Sequence, residues 1–209
     1  MSLNPQNDAL LKLIKISTTV VNDDSLISEL KQEIKNGSNG ALCSMFKAIF
    51  KRKLLDELGM VSDFLEFFFQ NSEITEFDIH SSPKLGIKCF FMPKDSSFPL
   101  HNHNNEAVCT GVLYGRIKYM TLDKIGGKKY LLNRKSAAGI SKVLFCTRDY
   151  RNIHSILALE NSIIIDIFIA NPDSSDDLNI FKVTRKRQRE FYLEEQTLHH
   201  HHHKRACEN

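Results

Sequence analysis

Pro99-Leu100-His101-Asn102-His103, followed after ten intervening residues by Tyr114-Gly115, is the stretch that decides how this chain reads. Apolar residues flank the histidines: Phe98-Pro99-Leu100 leads in, and Val108 to Leu113 leads out toward a Leu113-Tyr114-Gly115 turn. Side chains at i and i+2 of a strand share a face, so a short strand over 97–103 would aim His101 and His103 at one point. A third imidazole, His154, stands in Arg151-Asn152-Ile153-His154-Ser155, ahead of the apolar run Ile156-Leu157-Ala158-Leu159. Three neutral imidazoles form an incomplete coordination shell, which an oxygen-activating iron site needs.

Around this block the texture is that of a β protein. From about Ile74 onward, short apolar runs alternate with turn residues and predict strands near 75–80, 85–92, 97–103, 107–113, 116–122, 129–132, 141–146, 153–159 and 162–169. Eight or nine such strands suit a small jelly-roll barrel whose mouth holds the ion. The first third reads as helical. Asp23-Asp24-Ser25 can cap a helix carrying Leu26, Ile27, Leu30 and Ile34, with Asn36-Gly37 as its stop. A second helix is predicted from Ala41 to Leu58, with Gly59 at its end, and a short one over 64–69. The expected organisation is a helical region over 1–70 packed on the barrel, an iron-binding domain over 71–190, and a tail over 191–209. That tail contains the histidine run 199–203, an appended tag or a natural tract that binds metals non-specifically. It stays outside the site argument.

Composition narrows the function classes. The chain has 209 residues, long enough for one well-buried domain with an extension, and its 42% hydrophobic content supports a core. A net charge of +3 is too small to argue for nucleic acid. Its main local source, KVTRKRQR at 182–189, reads as a solvated surface. The N-terminus lacks the basic start and apolar stretch of a signal peptide, and no apolar run is long enough to span a bilayer. Five widely spaced cysteines without a CxxC pair point to reduced thiols, hence a cytoplasmic protein.

The ordered set of motifs resembles the cupin-type thiol dioxygenases that include cysteamine dioxygenase and the plant cysteine oxidases. That family's proline-leucine-His-x-His block and Leu-Tyr-Gly turn match 99–103 and 113–115 without a gap, and MTLDK at 120–124 looks like the continuation of the strand. Arg148-Asp149 leading into Asn152-Ile153-His154 resembles the segment that delivers the third iron ligand. Asp166, in Ile165-Asp166-Ile167, matches an acidic residue the family keeps beside its site. The resemblance covers roughly 75–184 and implies a mainly β cupin jelly roll (double-stranded β-helix) with an N-terminal helical extension. It also implies Fe(2+) held by His101, His103 and His154, and insertion of both atoms of O2 into a thiol to give a sulfinic acid. The partners implied are a small aminothiol or a peptide that begins with cysteine. A monomer is expected, because one chain supplies every ligand.

Several residues admit two readings. Asp166 is charged within an otherwise apolar strand and must meet a donor. It either orients a ligand histidine or a substrate amine, or forms a structural salt bridge with a nearby Arg or Lys. Tyr114 is a candidate pocket-lining residue beside Asp166, against simple packing at a strand end. Cys109 and Cys146 read as buried packing, His80 as a surface or strand-end residue, and Arg148 and Asp149 as holding the loop before His154.

The general cupin pattern expects a glutamate where Ala107 or Val108 stands, and Glu106 misses by one; a bend at Asn104-Asn105 would bring it round as a fourth ligand. The chain also departs from the resembled family at three places. His-Asp-His-Pro reads His101-Asn102-His103-Asn104, Pro-Pro-Tyr is replaced by Ala170-Asn171-Pro172, and a cysteine segment shortens to Asp176-Asp177-Leu178-Asn179. The missing tyrosine and the shortened segment support a first alternative to the dioxygenase, a non-catalytic metal- or ligand-binding cupin acting as sensor or interaction module. Glu106 as a fourth ligand would give a second, a manganese or nickel cupin with a non-thiol substrate.

Overall fold

The structure is a computed structural model and describes residues 8–58, 65, 68–70, 72–170 and 179–196. Its helices are α1 (Asp8–Val21), α2 (Asp24–Lys35), α3 (Ala41–Ile49) and α4 (Arg52–Glu57). The Asp23 carboxylate accepts from the Ser25 and Leu26 amides and starts α2, whose Ile27, Leu30 and Ile34 are buried. These contacts with Ser25 hold the Asp23 carboxyl below its usual range. α1 was not singled out in the sequence, because Thr18-Thr19-Val20-Val21 gives its last turn a β-like composition. Burial of Leu10, Leu13, Val20 and Val21 overrides that preference.

The single helix expected over 41–58 is two helices. α3 ends at Ile49, Phe50 leaves helical geometry at φ −72° and ψ 67°, and α4 restarts at Arg52. The break has a packing cause: the Phe50 ring is fully buried and sits directly over Gly111 in the sheet below. The expected stop at Gly59 and half of the helix expected at 64–69 lie outside the described residues.

The strands are β1 (Thr75–Ser82), β2 (Leu85–Met92), β3 (Ser97–His101), β4 (Ala107–Tyr114), β5 (Arg116–Gly126), β6 (Lys129–Gly139), β7 (Val143–Thr147), β8 (Ile153–Ala158), β9 (Ser162–Ile169), β10 (Ile180–Arg187) and β11 (Glu190–Gln196). One sheet runs β1-β2-β9-β4-β7, and the second runs β10-β11-β6-β5-β8-β3, with β3 also pairing to β10. Every pairing is antiparallel. β9 lies at the centre of the first sheet and explains the layering. Its Ile163, Ile165, Ile167 and Ile169 join the helices in one core, whereas Ile164 packs with Ile117, Tyr119 and Ile156 of the opposite sheet. Each buried isoleucine contributes about 1.5–3 kcal/mol, so both faces of β9 hold the three layers together.

β10 and β11 were absent from the sequence reading and β6 is longer than expected. The outer face of β10 is the basic run itself, and its last six residues are exposed. Backbone pairing with β11 and β3 keeps it a strand although no apolar alternation marks it. No helix among the described residues is long and apolar enough to cross a membrane.

Candidate metal centre

β3 ends at His101, and His103 stands beyond it in the irregular segment 102–106. The expectation that both histidines project from one strand is therefore corrected. His103 reaches the same point because the Asn152 side chain brackets it. The His103 amide donates to Asn152 Oδ1 at 2.9 Å, and Asn152 Nδ2 donates back to the His103 carbonyl at 3.0 Å and to the Arg148 carbonyl at 2.9 Å. His154, on β8, is the direct register partner of His101. Asn152 was quoted only as part of the motif before His154, and its role across the barrel was not legible there.

The three Nε2 atoms converge. His101 Nε2 and His103 Nε2 are 3.2 Å apart, His103 Nε2 and His154 Nε2 are 3.4 Å apart, and the donor atoms of the set lie within 4.8 Å of one another. Ligand bonds of about 2.1 Å separate neighbouring nitrogens by roughly 3.0–3.4 Å, depending on geometry. The ring states fit as well. Nδ1 of His101 lies 2.8 Å from the Pro99 carbonyl, and Nδ1 of His154 lies 2.9 Å from the Asn152 carbonyl. A carbonyl only accepts, so both Nδ1 atoms carry the proton and both Nε2 lone pairs are free for a metal. Burial pushes His154 down to about 3 and lowers His101 and His103 too, with the neighbouring rings adding repulsion at His103 and His154. The trio is neutral in the ordinary pH range, and its donor chemistry suits a metal ion.

A cavity of about 820 Å³ opens on His101, His103, Asp166, Phe168 and Phe98. Phe168 lies 5.3 Å from the His103 ring and Phe98 lies 6.1 Å from that of His101, both centroid to centroid. His80, expected at the surface or a strand end, stands near the end of β1 and also lines this cavity. Asp166 is buried, and its Oδ1 has no hydrogen-bond partner. Burial raises its pKa to about 7 against the opposing effect of the Thr110 hydroxyl. The salt bridge weighed for it is absent among the described residues: Lys88, its register partner on β2, pairs instead with Glu76 and Asp78 at 3.5 and 3.8 Å.

Tyr114 is elsewhere. It closes the far end of β4, is 39% exposed, stacks on Phe69 at 6.2 Å, and does not line the cavity. Its placement is that of packing. Gly115 beside it has φ +70°, and a Cβ there would come within 2.1 Å of the Asn161 carbonyl, so the turn admits only glycine. Glu106 pairs with Lys31 and, at 3.8 Å, with Arg148, and is not in the histidine set. Arg148 donates to the Asn104 carbonyl at 2.8 Å. Cys89 and Cys146 have thiols pushed up to about 12 by burial, and burial also raises Cys109 well above the ordinary thiol range. These thiols are packing groups.

Residues 62–207 match the family model described as PCO_ADO, that of the plant cysteine oxidases and cysteamine dioxygenase. The chain belongs to this family. It is therefore a cupin of the thiol dioxygenase type, with a three-histidine group suited to a metal. Solved structures similar to it include a cupin superfamily protein from Desulfitobacterium hafniense, 15% identical, with a TM-score of 0.39 over 48% of this chain and 80% of that one. KdgF from Halomonas sp. is 18% identical, with a TM-score of 0.39 over 49% and 85% of the two chains. No curated protein sequence matches the chain.

The unpaired Asp166 has a stability consequence. Its folded-state pKa of about 7 lies above the ordinary carboxyl value of 3.8. The penalty for ionising it is thus absent below pH 4, grows as pH rises between those values, and is complete above pH 7. Asp166→Asn is expected to stabilise the metal-free protein by roughly 4 kcal/mol at pH 8 and by little at pH 4. Urea unfolding at the two pH values checks this, and equal effects at both would show that Asp166 ionises freely in the fold.

Proposed function

We propose that this protein is an iron(II)-dependent thiol dioxygenase that converts cysteamine, or the N-terminal cysteine of a peptide, to the sulfinic acid. The observation that carries this reading is the convergence of three Nε2 atoms on buried, neutral rings, two of which, His101 and His103, line a cavity that also presents Asp166, whose Oδ1 has no hydrogen-bond partner. His101, His103 and His154 would hold the ion. When bound, iron(II) with neutral ligands keeps its full charge, lowers the thiol pKa and supplies the chemistry that joins sulfur to dioxygen.

The chain's own groups do the positioning. The carbonyls of Pro99 and Asn152 fix two imidazoles in the tautomer that leaves Nε2 free. Phe98 and Phe168 shield the histidines from solvent, and the remaining cavity admits a thiol side chain with the residues that follow it. Asp166, which lines the same cavity as His101 and His103, would accept a hydrogen bond from the amine that lies two carbons from the sulfur in cysteamine and in an N-terminal cysteine. That amine would supply the partner its Oδ1 lacks, and holding it orients the thiol. Sulfur is oxidised and both oxygen atoms are incorporated, so thiol plus dioxygen balances to sulfinic acid without an external reductant. Because one chain supplies the whole set, a monomer suffices.

Iron-loaded protein, prepared without oxygen, should be mixed with cysteamine, cysteine and a peptide that begins with cysteine, and oxygen then admitted. Mass spectrometry is expected to show two oxygen atoms added to at least one of these thiols. No addition to any of them, with iron demonstrably bound, would favour the cupin that binds metal or ligand without turnover. The replacement of the family's Pro-Pro-Tyr by Ala170-Asn171-Pro172 supports that second reading.

A further inference from the structure

Glu106 sits one residue before β4, at the end of the segment that carries His103. Its backbone is pinned within the barrel: the amide donates to the Ala170 carbonyl at 3.0 Å, and its carbonyl accepts from the Arg148 amide at 3.4 Å. Its carboxylate turns outward, to Lys31 on α2, and the two side chains are only 23% and 24% exposed. The other carboxylate oxygen faces Arg148, whose guanidinium donates to the Asn104 carbonyl and whose own carbonyl accepts from Asn152. Asn152 then grips both backbone groups of His103. A continuous chain of polar contacts thus runs from a helix in the outer layer to a metal-binding imidazole on an irregular loop. This matters because His103, unlike His101 and His154, has no strand to hold it.

We propose that Lys31 and Glu106 are positioning residues for the metal centre: their ion pair tethers the 102–106 loop to α2, so that the helical layer sets how firmly the ion is held. The same pairing keeps Glu106 turned toward α2 and outside the histidine set. The inference rests on the reading that the three imidazoles bind a metal. A pair this well shielded is screened less than the exposed pairs on the second sheet, such as Lys128–Glu194, whose side chains are 72% and 58% exposed.

Cobalt(II) is the probe. The full-length protein is loaded with it and the slow release into excess chelator is followed by absorbance; the histidine run 199–203 contributes equally in every variant. Lys31→Met and Glu106→Gln are each expected to speed release about fivefold. Both should also accelerate hydrogen exchange at the His103 amide. Lys31→Arg restores the slow rate, and Lys128→Met leaves it unchanged. A merely structural role would lower the melting temperature without the selective rescue by arginine. Wild-type protein that takes up no cobalt overturns both the tether and the metal reading. Wild-type protein that holds cobalt, with Lys31→Met and Glu106→Gln releasing it at the same rate, overturns the tether alone.

Discussion

His154→Ala is expected to empty the metal centre, with iron content falling from about one ion per chain at the buried site to near zero and thiol oxidation falling with it. The affinity loss should exceed the hundredfold or so that follows removal of a group merely supporting a ligand, because a donor atom itself is gone. Two nitrogens, those of His101 and His103, would remain. Glu106 and Asp166 are poor substitutes: Glu106 is committed to Lys31 and Arg148, and Asp166 lies on another strand with a carboxyl that resists ionisation. The neutral, buried state of His154 means that the apo fold does not depend on its charge, so the variant should remain folded. Metal analysis beside wild type, with circular dichroism as the folding check, decides the matter. Normal iron retention would refute the assignment of His154 as a ligand. His80→Ala is the matched control, since His80 lines the same cavity but stands outside the trio.

Gly111→Val is expected to be strongly destabilising. A Cβ at position 111 would stand 1.9 Å from the Phe50 ring, and at 2.2 and 2.4 Å from two further ring atoms. Phe50 is fully buried between the helices and the sheet, so it cannot swing into solvent. The loss should be about 3 kcal/mol or more, as overpacking in a rigid core requires. For a domain of this size that corresponds to a drop in Tm of roughly 10 °C. Phe50→Ala in the Gly111→Val background relieves the clash but leaves a void, so the double variant should recover only part of the loss. Wild-type thermal stability of Gly111→Val would mean that the helical layer does not rest on β4 as described. The contact also bears on function, because the same layer carries Lys31.

Much of the molecule was legible from local pattern. Short apolar runs bounded by turn residues located β2, β4, β8 and β9 to within a residue, because strands covered on both faces, as β4 and β9 are, stay apolar along nearly their whole length. β10 left no such trace: its last six side chains face water, and only Ile180 and Phe181 at its start are partly buried. The broken α3–α4 helix failed for a different reason. Helical spacing runs unbroken through Phe50, and the cause of the break, Gly111, is sixty-one residues away. Tyr114 was read as a candidate site residue because it adjoins a motif, yet motif proximity along a strand does not say which end of the barrel a side chain occupies. Its partner Phe69 lies far upstream.

Residue order alone therefore established a mainly β cupin with a helical extension, and the identity of three histidines as its candidate ligands. Those are properties of short-range periodicity and of motif order, which survive without coordinates. Tertiary structure alone decided that Asn152 brackets His103, that Asp166 is unpaired within the cavity wall, and that Glu106 answers to α2 rather than to the metal. Each of these is a contact across dozens of residues, and hydrogen bonding and burial act through space, where sequence separation leaves no pattern to read.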